Sequence, residues 1–130
     1  MVTVAVLSCD EPSVILCNRL RRAGLRTSGV YLQDLRSGAV NLEEFVASEQ
    51  PDLVVYDLDP PLPQSLKFLA YVRMLPGMDR VPFILTRHQS MPLPALDMPN
   101  VAGLLTRPYD FAAARLVVHS ALHLGFDNAA

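Results

Sequence analysis

The stretch Pro51-Asp52-Leu53-Val54-Val55-Tyr56-Asp57 is an apolar run of strand length that ends abruptly on a carboxylate and then meets Leu58-Asp59-Pro60-Pro61. In an open α/β sheet the carboxyl ends of the strands border the ligand crevice, so an acid at the tip of a buried strand marks a candidate site. Other runs end in comparable ways. Thr3-Val4-Ala5-Val6-Leu7-Ser8 leads into Cys9-Asp10-Glu11, a later run ends on Thr86, and another ends on Arg107-Pro108.

Working outward from these runs, strand-length apolar segments alternate with helix-length amphipathic ones, the pattern of βαβ units and a parallel sheet covered on both faces. Five strands are expected, near Thr3 to Ser8, Arg26 to Tyr31, Asp52 to Asp57, Pro82 to Thr86 and Gly103 to Thr106. A first helix is expected from Pro12, suited to a first turn because its missing N–H would have no partner there, to Gly24. Leu16, Leu20 and Ala23 line one face of it. Further helices are expected near Leu42 to Ser48, near Gln64 to Leu75, and from the N-cap Asp110 to Leu124 with Gly125 as C-cap. Between His88 and Asn100 stand Pro92, Pro94 and Pro99, each costing about 3 kcal/mol inside a helix. A fourth helix there is therefore expected to be short or missing.

With 130 residues the chain is expected to be one domain with one core, spanning 1–130. The apolar fraction is 51% and the charged fraction 18%, which excludes a disordered chain, and the net charge of -2 gives nucleic-acid or acidic-membrane binding no support. No apolar stretch approaches a membrane span and no secretory signal opens the chain, so a cytoplasmic protein is expected. Cys9 and Cys17 form neither a disulfide framework nor a CxxC motif and are expected to be reduced thiols. Nothing after the last helix reads as an output domain, and action through a bound partner is expected.

The four strand ends, in that order, resemble the receiver domain of bacterial two-component response regulators over nearly the whole chain. Cys9-Asp10-Glu11-Pro12 resembles the acidic cluster after strand 1 and Pro51 to Asp57 the phosphoacceptor strand; Val81 to Thr86 resembles strand 4, and Arg107-Pro108 takes the Lys-Pro position. The resemblance implies a flavodoxin-like, doubly wound α/β fold with a five-stranded parallel sheet in the order 2-1-3-4-5. It also implies a cis peptide bond between Arg107 and Pro108.

Asp10, Glu11, Asp57 and Asp59 are expected to converge at one end of the sheet, where close carboxylates repel unless something positive joins them. Mg²⁺, with its preference for oxygen ligands, is the expected ion. The resemblance implies Asp10 and Asp57 as direct ligands, the Asp59 backbone carbonyl as a third and Glu11 in an outer shell. It implies that Asp57 accepts a phosphoryl group from a histidine kinase or phosphotransfer protein, that Thr86 donates its hydroxyl to the phosphate, and that Arg107 supplies a second positive charge.

Five departures set the chain apart from the family pattern. Cys9 replaces the first acid, Arg107 replaces lysine, Arg87 follows Thr86 where a small residue is usual, Leu104 stands at a common aromatic position, and prolines interrupt the fourth helix. Arg87 is expected to fold over the pocket and pair with Asp57 or Asp59. The leading expectation is a non-enzymatic signalling module relaying phosphorylation to a downstream protein partner. Its rivals are a pseudo-receiver that takes no phosphate and, more remotely, a haloacid dehalogenase-like phosphatase suggested by Asp57-Leu58-Asp59. The last helix carries a weakly charged stripe of Ala112, Leu116, His119 and His123, for which a homodimer or partner contact is expected.

Overall fold

The computed structural model describes residues 2–88, 91 and 100–129, with the side chains of these except Pro12 and 123–129. Along the chain run β1 (Thr3–Ser8), α1 (Glu11–Arg22), β2 (Arg26–Tyr31), α2 (Leu32–Ser37), α3 (Leu42–Glu49), β3 (Leu53–Asp57), α4 (Leu62–Arg73), β4 (Phe83–His88), β5 (Val101–Arg107) and α5 (Phe111–Ala129). The strands form one parallel sheet in the order β2-β1-β3-β4-β5, as expected.

Strand alternation sorts the core into two layers. Ala5, Leu7, Val54, Tyr56, Phe83 and Leu85 pack on the face covered by α2, α3 and α4. Val4, Val6, Leu53, Val55, Ile84 and Leu105 pack on the other, against Leu16 and Leu20 of α1 and Ala114, Val118 and Ala121 of α5. The central strands β1 and β3 are buried along their whole length, which is why they read as unbroken apolar runs rather than alternating ones. Shortening Leu53 or Leu69, each with no exposed surface, to alanine would cost about 2–5 kcal/mol.

The expected cap at Asp110 is present, and a second cap, at Asn41, was not anticipated. Asp110 caps α5, its carboxylate accepting from the Ala113 N–H at 2.7 Å, and Asn41 caps α3 by accepting from the Glu44 N–H at 3.0 Å. Other boundaries need correction. The first helix ends at Arg22, so that Gly24, at φ 93, lies in the turn beyond it. Helix α2 was not expected; its six residues are too few to show a helical period, and Gly38 stops it in the left-handed region at φ 84. The anticipated stop at Gly125 does not occur, because α5 continues to Ala129 and an interior glycine costs only about 1 kcal/mol. The expectation for a fourth helix between His88 and Asn100 lies largely outside the described residues. Cys9 and Cys17 are free. Among the described residues no helix is long and apolar enough to cross a membrane.

Candidate functional site

Register builds the site. Asp57 at the tip of β3 pairs with Thr86 on β4, and both follow the parity of Val55 and Ile84, so both side chains point toward the α1/α5 layer. Asp57 is 1% exposed. Its Oδ2 accepts from the Cys9 N–H and the Cys9 thiol, each at 3.0 Å, and from the Ser13 hydroxyl at 2.8 Å. Its Oδ1 accepts from the Thr86 hydroxyl and from Arg107 Nη2, the latter at 2.8 Å. Five donors thus meet a carboxylate that has about four lone-pair sites.

Arg107 ends β5 and is followed by a cis Pro108, in agreement with the expectation from the sequence. Its Nη1 donates to Asp10 Oδ2 while Nη2 holds Asp57, so one planar fork bridges the two carboxylates. Burial alone would lower the guanidinium pKa, but Asp10 and Asp57 outweigh it and keep the group charged. Cys9 is the opposite case. Burial, then the hydrogen bond and charge of Asp57, push its thiol from 9.0 up to about 12, which keeps the proton on sulfur that it donates to Asp57.

Cys9, Asp10 and Asp57 bring potential metal-ligand atoms within 4.8 Å of one another. The carboxylates of Glu11 and Asp59 are not part of that group. Glu11 is exposed on the first turn of α1. The Asp59 carboxylate is held by Arg36 of α2 in a bidentate pair, at 2.8 and 2.9 Å, so the four acids do not converge through their side chains. Burial pushes the Asp59 carboxyl up, but the hydrogen bonds and charge of Arg36 hold it below its ordinary 3.8. Arg36 also lies over the Phe68 ring, 5.2 Å from its centroid.

The gate expected of Arg87 is absent. Its Nε donates to the Thr106 hydroxyl at 3.0 Å and its Nη1 to the Met91 carbonyl at 3.1 Å, away from Asp57 and Asp59. Strand alternation is the reason: the residue after Thr86 must face the other side of the sheet, where its register partner is Thr106.

Sequence reasoning missed Ser13 and Arg36. Ser13 could have been found from helical spacing, since it lies three residues after Asp10 on the inner face of α1. Arg36 had no such signal, because the helix that carries it was itself unexpected.

No protein-family model and no curated protein sequence matches the chain. Solved structures do. The chemotaxis protein CheY4 of Vibrio cholerae is 14% identical, with 93% of this chain and 98% of that chain covered at a TM-score of 0.68. The CheY-like receiver domain of a response regulator from Methylobacillus flagellatus is 16% identical, with coverage of 93% and 98% and a TM-score of 0.71. The N-terminal domain of the nisin resistance regulator NsrR is 19% identical, with coverage of 94% and 98% and a TM-score of 0.70. The chain therefore has the fold of the CheY-like receiver domains of response regulators, and it has that fold over nearly its whole length.

Proposed function

We infer that the chain is a receiver-type signalling module that acts by contact with protein partners, and that Asp57 serves in it as a structural carboxylate rather than as a standing phosphoacceptor. The saturation of Asp57 carries this reading. A nucleophilic carboxylate needs an oxygen that a donor phosphoryl group can approach in line, whereas both oxygens of Asp57 are engaged and the side chain is 1% exposed. The donors come from the turn between β1 and α1, from α1, β4 and β5, so releasing an oxygen disturbs several elements at once. Partner contact then depends on the surface, where Leu116 of α5 is 72% exposed.

A second reading has its own observation. Thr86 and Arg107 meet on the same oxygen of Asp57, the arrangement that acceptance of a phosphoryl group from a histidine kinase or phosphotransfer protein would use. A phosphatase reading is weaker, because it needs Asp59 as a proton donor. That carboxyl is paired with Arg36 and held below its ordinary value, which favours the ionised form.

Intact mass after incubation with acetyl phosphate and Mg²⁺ tests these readings. An unchanged mass is expected. A hydroxylamine-labile phosphoryl adduct that disappears in Asp57→Asn overturns the structural-carboxylate reading in favour of the phosphoacceptor, and sustained phosphoester turnover revives the phosphatase.

A further inference from the structure

Two carboxylates held as close as Asp10 and Asp57 need a positive partner, and in this chain one is built into the sheet. The Arg107 guanidinium spans them with separate nitrogens, and its side chain is 11% exposed, so it is packed in place rather than draped over the site from solvent. Charge counting follows from the residues present. Asp10 and Asp57 contribute two negative charges, Arg107 returns one positive charge, and Cys9, where the family pattern has an acid, gives its S–H to Asp57. The remainder is one negative charge, a weak attraction for a divalent ion.

Coordination chemistry points the same way. Mg²⁺ demands near-octahedral oxygen ligation and gives up its water reluctantly, so it needs carboxylate oxygens that are free to turn toward it. Asp57 Oδ2 is committed to Cys9 and Ser13, Asp57 Oδ1 to Thr86 and Arg107, and Asp10 Oδ2 to Arg107. Asp10 Oδ1 is buried and has no hydrogen-bond partner among the described residues. It offers an ion one anchor, on the carboxylate that the guanidinium already holds. The Asp59 carboxylate is paired with Arg36, which leaves that residue only its backbone carbonyl to offer. A lysine could yield by rotating its flexible stem or losing its proton, but a planar guanidinium fork bonded to two carboxylates can do neither cheaply.

We propose that Arg107 is the resident cation of this site, taking the place of a divalent ion between Asp10 and Asp57, so that the native domain does not bind Mg²⁺ and its site is neutralised by its own chain. The proposal rests on the structural-carboxylate reading of Asp57 and adds to it what holds that carboxylate. It makes the electrostatic state of the site independent of cellular magnesium.

Calorimetric titration of Mg²⁺ into the full chain tests it, with the wild type compared with Asp57→Asn, with Arg107→Gln and with the two changes combined. No saturable binding is expected for the wild type at millimolar Mg²⁺. Arg107→Gln should gain saturable binding at millimolar Mg²⁺, and the added Asp57→Asn should abolish it. Saturable wild-type binding that Asp57→Asn removes, or no gain in a folded Arg107→Gln, overturns the proposal. Should Arg107→Gln fail to fold, Mn²⁺-induced broadening of wild-type amide signals decides. Selective loss of the Asp10 and Asp57 signals at submillimolar Mn²⁺ overturns the proposal, and uniform persistence supports it. The two failures are distinguishable: Mg²⁺ binding without a phosphoryl adduct overturns the resident cation and leaves the structural-carboxylate reading standing, whereas a phosphoryl adduct on Asp57 overturns that reading and with it the proposal.

Discussion

The Cys9 thiol donates to Asp57 Oδ2 at 3.0 Å, so the residue that stands where the receiver pattern has an acid supplies a proton to the carboxylate an acid would repel. Substituting Cys9→Asp replaces that donor with a like charge beside a buried carboxylate. The variant should lose about 1–3 kcal/mol in urea unfolding without divalent ions. Cys9→Ser keeps a hydroxyl donor and should lose less than about 1 kcal/mol. Equal stabilities for the two variants would show that the thiol bond contributes nothing.

The same thiol gives a high-pH signature. Burial, followed by the bond to Asp57, raises its pKa from 9.0 to about 12. A raised pKa means that the folded state keeps the proton after the unfolded chain has lost it. The contribution is fully present below the ordinary thiol value of 9.0 and is lost as pH rises from there to about 12. Unfolding free energy should therefore fall more steeply with pH above 9.0 in the wild type than in Cys9→Ser. Native Cys9 should also react with iodoacetamide far more slowly at pH 8 than the unfolded chain does. Parallel pH profiles for the two proteins would contradict the assignment.

Arg36 and Asp59 make the converse case at low pH. Asp59 has a depressed pKa, so its contribution is present above the unfolded carboxylate value and is lost as pH falls through the lower folded value. Both side chains are partly exposed, at 34% and 21%, which limits the pair to about 1 kcal/mol or less. In Arg36→Gln, an NMR titration of the Asp59 carboxyl should show its midpoint rising, with a small stability loss that includes the contact with Phe68. A midpoint that stays put would place the cause of the depression elsewhere.

How far the sequence could be read depends on what each residue's position required. The strand tips were legible because the apolar runs of β1, β3 and β4 give way to Asp10, Asp57 and Thr86, and parallel register then brings Asp57 beside Thr86. Arg107 was legible from its proline neighbour. The orientation of Arg87 was legible too, since alternation from Thr86 puts it on the opposite face of the sheet. The Arg36–Asp59 pair was not legible. It joins residues 23 apart through a six-residue helix whose existence depends on packing Leu32 and Leu35 rather than on any local period. Cys9 was visible only as a missing acid, and its role as a donor required the distance to Asp57.

The α5 surface allows a direct test of self-association. Ala112, Leu116 and His119 are exposed on that helix, while the side chain of His123 lies outside the described residues. If α5 joins two copies, wild-type protein should sediment as a dimer and Leu116→Glu as a monomer. Two monomeric samples would leave the surface to a different partner protein.

Gly103 on β5 sets how closely α5 can approach the sheet. A Cβ at this position would lie 2.5 Å from Val117 Cγ1, well inside van der Waals contact. The valine cannot swing away freely, because branching at Cβ leaves it one strongly preferred rotamer in a helix. The helix must therefore lift, and Gly103→Ala should cost about 1–3 kcal/mol as an overpacked core. Lifting α5 also pulls Ala114 and Val118 from the layer under Asp57, so the damage spreads beyond one contact. Val117→Ala should make room, so that the double variant is more stable than the sum of the two single losses predicts. Urea unfolding of the four proteins measures that coupling. A Gly103→Ala variant as stable as the wild type, or strictly additive losses, would mean that the glycine is not what seats α5 on the sheet.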